Sequence, residues 1–161
     1  MNLFVLNLLL AIIWAALNED SSLGALFTGF VLGFAILWIT RPLLGGGGYY
    51  FKRALAWGRL VVLFTNELFW SCVTVAKDVM RKETAARPAI IEMPLDVKTD
   101  AGILMLTNLI TLTPGTLTLD VSEDRKTAII HAMFCDDPQA EIDGIKSGME
   151  RWVIDAIEAE Q

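Results

Sequence analysis

Glu67 is the acidic residue whose surroundings suggest chemistry, because it lies in a largely apolar segment, 54–79, that is predicted to be helical. A carboxylate at membrane depth can relay protons or cations along the edge of a neighbouring subunit. The same side chain can instead form an ion pair or meet water on a helix that lies along the membrane surface. The second interpretation is favoured, because helical geometry and the flanking charges already account for an acid here.

Histidine and cysteine are too scarce to build a metal site from their usual motifs. His131 is the chain's single histidine, and Cys72 and Cys135 are its two cysteines. Histidine titrates near neutrality and can sense pH, but with no second ligand beside it, His131 is expected to be an ordinary strand residue. The two cysteines are too few for a disulfide framework, and their apolar neighbours predict buried thiols.

The remaining acids sit where turns and helix starts place them. Asp136 and Asp137 suggest a metal pair, but helix capping explains them more simply. There is no recognisable spacing of nucleophile and base, and no glycine fingerprint for a nucleotide. The sequence therefore predicts no catalytic residue, no metal site and no cofactor, and the chain is not expected to be an enzyme.

Charge is distributed very unevenly along the 161 residues. The net charge is −6, 54% of the residues are hydrophobic and the mean hydropathy is +0.50. Between residues 2 and 40 the ionisable side chains are Glu19 and Asp20, whereas charges are frequent after Lys77. This pattern excludes a uniformly soluble chain and a carrier built of spans from end to end. Intrinsic disorder and a basic nucleic-acid binder are also unexpected, so no nucleic-acid partner is predicted.

Two apolar runs at the N-terminus predict a transmembrane helical hairpin over residues 1–40. Leu3–Leu17 and Leu23–Thr40 reach roughly 22 and 27 Å as helices, against a hydrocarbon core of about 30 Å. The first run lacks the basic start of a signal peptide, which disfavours cleavage. Lys and Arg are absent from the loop at 18–22 and follow the second run, so both ends of the hairpin are expected to face the cytoplasm.

Ala25, Gly29 and Gly33 recur every four residues on one face of the second run. Small residues at this spacing let another backbone approach closely. Two uses stay open, namely packing of the two hairpin helices on each other and a docking surface for other subunits. Neither run carries an ionisable residue, which indicates that this chain does not itself conduct ions.

Residues 41–86 are expected to form a glycine-rich linker and an amphipathic membrane-associated helix. Leu43 to Tyr50, with four consecutive glycines, predicts the flexible linker. The helix at 54–79 would place Arg59 and Glu67 at membrane depth if it spanned, and basic residues flank both of its ends. A helix along the cytoplasmic interface is preferred for that reason, and a buried span within a complex remains the alternative.

Residues 87–161 predict a small cytoplasmic α/β module with two layers and the order β-α-β-β-α. The expected elements are a strand at 89–95, a helix at about 101–111 capped by Thr99 or Asp100, strands at 116–121 and 127–134, and a last helix opened by Asp137 and Pro138. The first helix is apolar almost all round and should be buried on several sides.

The segment from Asn108 to Val121, with sequence NLITLTPGTLTLDV, resembles the signature of the E subunit of the multisubunit cation/proton antiporters known as Mrp, Mnh or Pha. The resemblance extends along the whole chain, although the glycine run is not typical of the family. Within the segment, the interface or structural candidates are Asn108, Thr111, Pro114, Gly115, Thr116 and Asp120. The Thr-Pro-Gly-Thr core is expected to be a structural corner, with docking of a partner subunit as the sharper alternative.

The resemblance implies a non-catalytic accessory subunit of a sodium or other monovalent cation/proton antiporter in the bacterial inner membrane. Its expected partners are the large ion-translocating subunits, the small membrane subunits and the lipid bilayer. The competing hypotheses are a membrane-anchored sensor or adaptor, whose module binds a ligand or regulatory partner, and a small self-assembling transporter.

Overall fold

A computed structural model describes residues 3–43 and 48–158, with the side chain of Leu43 left out. The chain divides into two compact units, Met1–Ala54 and Leu55–Gln161. The sequence instead predicts three segments, at 1–40, 41–86 and 87–161, and this three-part division stays a prediction.

The first unit is built on a pair of antiparallel helices, α1 (Leu3–Leu17) and α2 (Leu23–Thr40). The polar loop between them starts α2, because the Ser22 hydroxyl accepts a hydrogen bond from the Ala25 amide at 3.2 Å. A short 3₁₀ turn, Arg41–Leu43, follows α2.

The third helix, α3 (Gly48–Val79), begins earlier than the sequence predicted. Gly48, Tyr49 and Tyr50 are helical, so the prediction of a linker from 43 to 50 is wrong for these three residues, and residues 44–47 lie outside the described part. Phe51 explains the early start, since it is buried in the first unit and its ring lies 5.1 Å from those of Phe34 and Trp38. Burying this large ring stabilises a helical turn that sequence periodicity alone did not indicate.

The second unit contains a three-stranded antiparallel sheet and its helices. The strands are β1 (Ala89–Pro94), β2 (Thr116–Val121) and β3 (Thr127–Ala132), in the spatial order β1-β3-β2. Helix α4 (Asp100–Leu112) connects β1 to β2, and the Thr99 hydroxyl caps it by accepting from the Gly102 amide at 3.1 Å. Strands β1 and β2 lie on opposite sides of β3, so the connection between them, which contains α4, crosses one face of the sheet.

The last helix is interrupted by wider turns. It consists of α5 (Pro138–Ile145), a π-helical turn (Lys146–Glu150), α6 (Arg151–Val153) and a second π-helical turn (Ile154–Glu158), together called the C-terminal helical segment. The predicted start is confirmed, with Asp137 accepting from the Gln139 amide at 3.0 Å and Pro138 in the first turn. The π-helical turns were not predicted.

One hydrophobic core joins the sheet, α4, the C-terminal helical segment and part of α3. Leu60 of α3 is buried in this core, and Ala56, Trp57 and Phe64 pack against it. The other buried core residues are Ile91, Met93, Val97, Ile103, Leu106, Leu109, Ile110, Ala128, Ile130, Ala132, Cys135, Ile145, Met149, Val153 and Ala156.

Helices α2 and α3 are long and apolar enough to cross a membrane, judged by length and composition, whereas α1 has 15 residues. Many large apolar side chains on these helices are exposed. The prediction that both thiols are buried is wrong for Cys72, which lies on the exposed side of α3, and is confirmed for Cys135. Helix α4 is also less enclosed than predicted, because Leu104 and Leu112 are exposed.

Candidate functional site

Gly29 and Gly33 form the contact between α1 and α2. A Cβ atom at position 29 would lie 2.8 Å from the Trp14 Cβ and 2.9 Å from the Ala11 carbonyl oxygen. Both glycines are buried, so their surface is used inside the hairpin and is not open to another subunit. Ala25, in the same stripe, remains partly exposed.

Asn7 is the polar residue at the centre of this contact. It is fully buried, and its Nδ2 donates to the Tyr50 hydroxyl at 2.8 Å. Its Oδ1 has no hydrogen-bond partner within residues 3–43 and 48–158. A Cβ atom on Gly33 would overlap this carboxamide and lie 3.1 Å from the Leu10 Cβ. The missing side chain at Gly33 therefore provides the space that the Asn7 amide occupies.

The Thr-Pro-Gly-Thr corner turns the chain from α4 into β2. Gly115 has φ +99°, a conformation that residues with a side chain rarely adopt, and a Cβ atom there would lie 3.4 Å from the Phe134 ring. The Thr116 amide closes the turn on the Thr113 carbonyl at 3.1 Å.

Two threonine hydroxyls satisfy carbonyl groups at the end of α4. Thr113 Oγ1 donates to the Leu109 carbonyl at 2.9 Å, and Thr116 Oγ1 donates to the Ile110 carbonyl at 2.6 Å. The last carbonyls of a helix have no partner inside the helix, so these bonds replace water at a partly buried end.

The signature residues on α4 and β2 are less enclosed. Asn108 is exposed and donates to the Leu104 carbonyl at 2.7 Å, and the Thr111 hydroxyl accepts from the Thr118 amide at 3.2 Å. Asp120 is exposed on β2. These contacts are local and leave the outer surface of Asn108 and Asp120 accessible.

A cavity of about 430 Å³ brings the corner together with Glu67. We call it the acidic groove because two carboxylates, Glu67 of α3 and Glu141 of α5, line it. Arg59, the other candidate on α3, is exposed and does not line the groove. The remaining lining residues are Trp70, Ser71, Thr74, Ile110, Thr113, Pro114, Gly115, Thr116, Ala132, Phe134, Gly144, Ile145, Gly148, Met149 and Trp152.

Glu141 is the carboxyl group whose pKa the groove raises. Partial burial raises the pKa of its carboxyl group, and the nearby Glu67 carboxylate raises that pKa further. The sequence analysis missed Glu141, although helical spacing offered a signal, since it precedes Ile145 and Gly148 on one face of the same helical segment.

Two other glutamates of the C-terminal helical segment hold the loop before α4, and we call them the carboxylate latch. Glu150 is 1% exposed, and its Oε1 accepts from the Asp96 and Val97 amides at 2.7 and 3.2 Å. Glu158 accepts from the Lys98 and Thr99 amides at 2.7 and 2.6 Å. The latch supplies acceptors to four consecutive amides and so fixes the entry into α4.

Glu158 is expected to make the second unit sensitive to acid. Burial acts to raise the pKa of Glu158, but hydrogen bonds from Thr99 and Lys98 outweigh it and lower the pKa from 4.5. A carboxyl group with a lowered pKa in the folded state stabilises fully above pH 4.5, and the stabilisation is lost as the pH falls towards the folded-state pKa. Thermal unfolding of the full chain between about pH 7 and 3 should show a smaller acid-induced loss in Glu158→Gln than in the wild type. An equally steep acid profile in the variant would contradict this role.

The comparisons with known proteins agree on one family. The family model MNHE, described as Na+/H+ ion antiporter subunit, matches residues 7–156. The E1 subunit of a Na+/H+ antiporter from Staphylococcus haemolyticus is 37% identical over 149 residues, which are 92% of this chain and 93% of the relative. The corresponding E subunit from Bacillus subtilis is 35% identical over 147 residues, covering 91% of this chain and 92% of the relative.

Two solved structures contain chains of similar fold. A chain of the Mrp complex from Dietzia sp. DQ12-45-1b has a TM-score of 0.50 and 25% identity, with coverage of 64% of this chain and 94% of that one. A chain of the membrane-bound sulfane sulfur reductase, an archaeal respiratory membrane complex, has a TM-score of 0.57, and at 23% identity over 98% and 99% of the chains it supports the fold alone. The resemblance seen at 108–121 is confirmed: this chain is a membrane protein and belongs to the E-subunit family of Na+/H+ antiporters.

Proposed function

We propose that this chain is a non-catalytic accessory subunit of a multisubunit sodium (monovalent cation)/proton antiporter. It supports assembly and activity, and the large subunits translocate the ions. The observation that carries the proposal is the hairpin itself, where α1 and α2 have no ionisable residue along their lengths. Ion and proton pathways in membranes usually require such residues.

The packing of the hairpin supports the same role. Its inner surface is filled by Gly29, Gly33, Asn7 and their neighbours, while large apolar side chains cover the outside. Apolar outer faces suit contact with lipid or with the spans of neighbouring subunits. We place the hairpin across the bacterial inner membrane, with both ends on the cytoplasmic side, because Arg41, Lys52 and Arg53 follow it.

Helix α3 is proposed to lie along the cytoplasmic surface. Ala56, Trp57, Leu60 and Phe64 pack on or within the core of the α/β module, so this face of α3 is covered by the module and is not available to the hydrocarbon. A spanning α3 would place Arg59 and Glu67 at membrane depth, and it would put one of the two basic clusters that flank the helix on the wrong side of the bilayer. The module itself then lies in the cytoplasm beside α3.

Purification and reconstitution test the accessory role together. An affinity-tagged full chain, extracted from native membranes in mild detergent, should bring the large and small antiporter subunits with it. Liposomes that contain the purified complex should exchange Na+ for protons, whereas liposomes that contain this chain alone should match protein-free liposomes. Exchange by the chain alone would contradict the proposal, and recovery of a stable isolated monomer would favour a membrane-anchored adaptor.

A further inference from the structure

Among the described residues that line the acidic groove, two are carboxylates and none is a cation (Lys, Arg or His). Within the described part of the chain, the side-chain ion pairs and hydrogen bonds involve neither Glu67 nor Glu141. Two carboxylates that face one partly apolar space repel each other, and a cation from outside would relieve that repulsion.

The basic residues of the C-terminal helical segment are already engaged elsewhere. Lys146 Nζ binds Asp96 at 2.8 Å and Glu150 at 3.0 Å. Arg151 lies 3.3 Å from Asp155. Turning either side chain towards the groove would break these contacts and, for Lys146, would leave the buried Glu150 carboxylate uncompensated.

The aromatic rings of the groove indicate which cation fits. Trp70, Trp152 and Phe134 line it together with the two glutamates. A planar guanidinium can stack on an aromatic ring while its N–H groups bind carboxylates, which a compact ammonium does less well. A bare metal ion would prefer several converging oxygen ligands, and the wall here is largely aromatic and aliphatic.

We propose that the acidic groove receives an arginine side chain from a cytoplasmic segment of another subunit of the antiporter. Glu67 and Glu141 bind the guanidinium, and Trp70 and Trp152 enclose it. The cavity, about 430 Å³, falls in the range of roughly 300–1,000 Å³ that is usual for small-ligand sites, so it can admit the side chain and part of its backbone. This inference rests on the proposed function, since it requires a complex with other subunits.

Crosslinking in the native complex identifies the occupant. A photoreactive amino acid replaces Ser71, which lines the groove, and in a matched control it replaces Thr65, which is exposed on α3 and does not line the groove. Mass spectrometry of the crosslinked peptides should find an arginine-bearing segment of another subunit for position 71 and not for position 65. Crosslinks from position 71 only to lipid, to a second copy of this chain or to a segment without arginine would overturn the proposal.

Neutral variants test the charge. The double variant Glu67→Gln and Glu141→Gln should retain the crosslinked subunit at least tenfold less well during affinity purification in moderate salt, as expected when a hydrogen-bonded charge pair at an interface loses one partner. Glu92→Gln, an exposed glutamate outside the groove, is the control and should retain it like the wild type. Full retention by the double variant would overturn the proposal.

Failure of this inference and failure of the proposed function give different results. If the wild-type chain brings no antiporter subunits with it, the accessory role itself is wrong. If the wild type brings them and the double variant is folded, as judged by a thermal unfolding midpoint no lower than that of the wild type, the retention of the crosslinked subunit reports on the groove alone.

Discussion

Replacing Gly33 with leucine is expected to open the N-terminal hairpin and to remove the chain from its complex. Any side chain at this position must displace the Asn7 amide and the Leu10 side chain. Overpacking of a tight interface costs about 1–3 kcal/mol, and here it also breaks the bond from Asn7 to Tyr50. The amount of chain in the membrane, and the antiporter subunits recovered with it, should both fall strongly. Gly29→Leu should act in the same way because α1 lies against it.

Gly24→Leu is the matched control on the same helix. Within the described part of the chain, a Cβ atom there has one neighbour within 4 Å, the Ser22 hydroxyl at 3.7 Å. The Gly24→Leu variant should leave the amount of chain in the membrane, and the antiporter subunits recovered with it, close to the wild-type values. Equal damage from Gly24→Leu and Gly33→Leu would show that added bulk on α2, rather than the contact with α1, causes the loss.

Glu150→Ala is expected to be the most damaging single substitution in the carboxylate latch. It leaves the Asp96 and Val97 amides and the Lys146 ammonium without their shared acceptor at a site that is almost fully buried. Removing one partner of a buried ion pair costs about 3–5 kcal/mol. Denaturant unfolding of the full chain in detergent, followed by the near-ultraviolet signal of the tryptophans, should show this loss.

Glu123, in the loop between β2 and β3, is the control that shows whether the loss of stability depends on the position of the glutamate. Glu123→Ala changes the same residue type at an exposed site and should shift stability by no more than about 0.5 kcal/mol. Glu150→Gln keeps the shape and removes the charge, so it should lie between the wild type and Glu150→Ala. Stability of Glu150→Ala within the range of the loop variant would contradict a structural role for this carboxylate.

The elements of the fold could be predicted where local signals agreed. Strand β2 has the predicted bounds, because alternating residues lie between a Pro-Gly turn and a polar loop. The start of α5 was predictable for a similar reason, from Asp137 and Pro138. The start of α3 at Gly48 was not, since it depends on where Phe51 is buried, and tertiary contacts of that kind leave no local pattern.

The candidate site was predictable only in part. Glu67 and the Thr-Pro-Gly-Thr corner stood out by residue type, but their meeting in one groove depends on how the elements pack. The burial of Glu150 could not be predicted, because the π-helical turn changes the angular period of the helix. Glu150 therefore faces the core, whereas a regular helix would place it at a different angle. Asn7 interrupts the apolar run of α1, and its burial with Ala11 and Ala15 follows from their four-residue spacing.

The carboxylate latch also sets an order of events during synthesis. The hydrogen bond from Thr99 to Glu158 joins residues 59 positions apart, and at about 5–20 residues per second the ribosome needs roughly 3–12 s to cover that distance. The hairpin contacts join α1 to the next helix in the chain, so the hairpin can insert while the later residues are still being translated. With the hairpin in its proposed place in the membrane, the amides of residues 96–99 therefore stay without their carboxylate acceptors until the last turns of the nascent chain emerge.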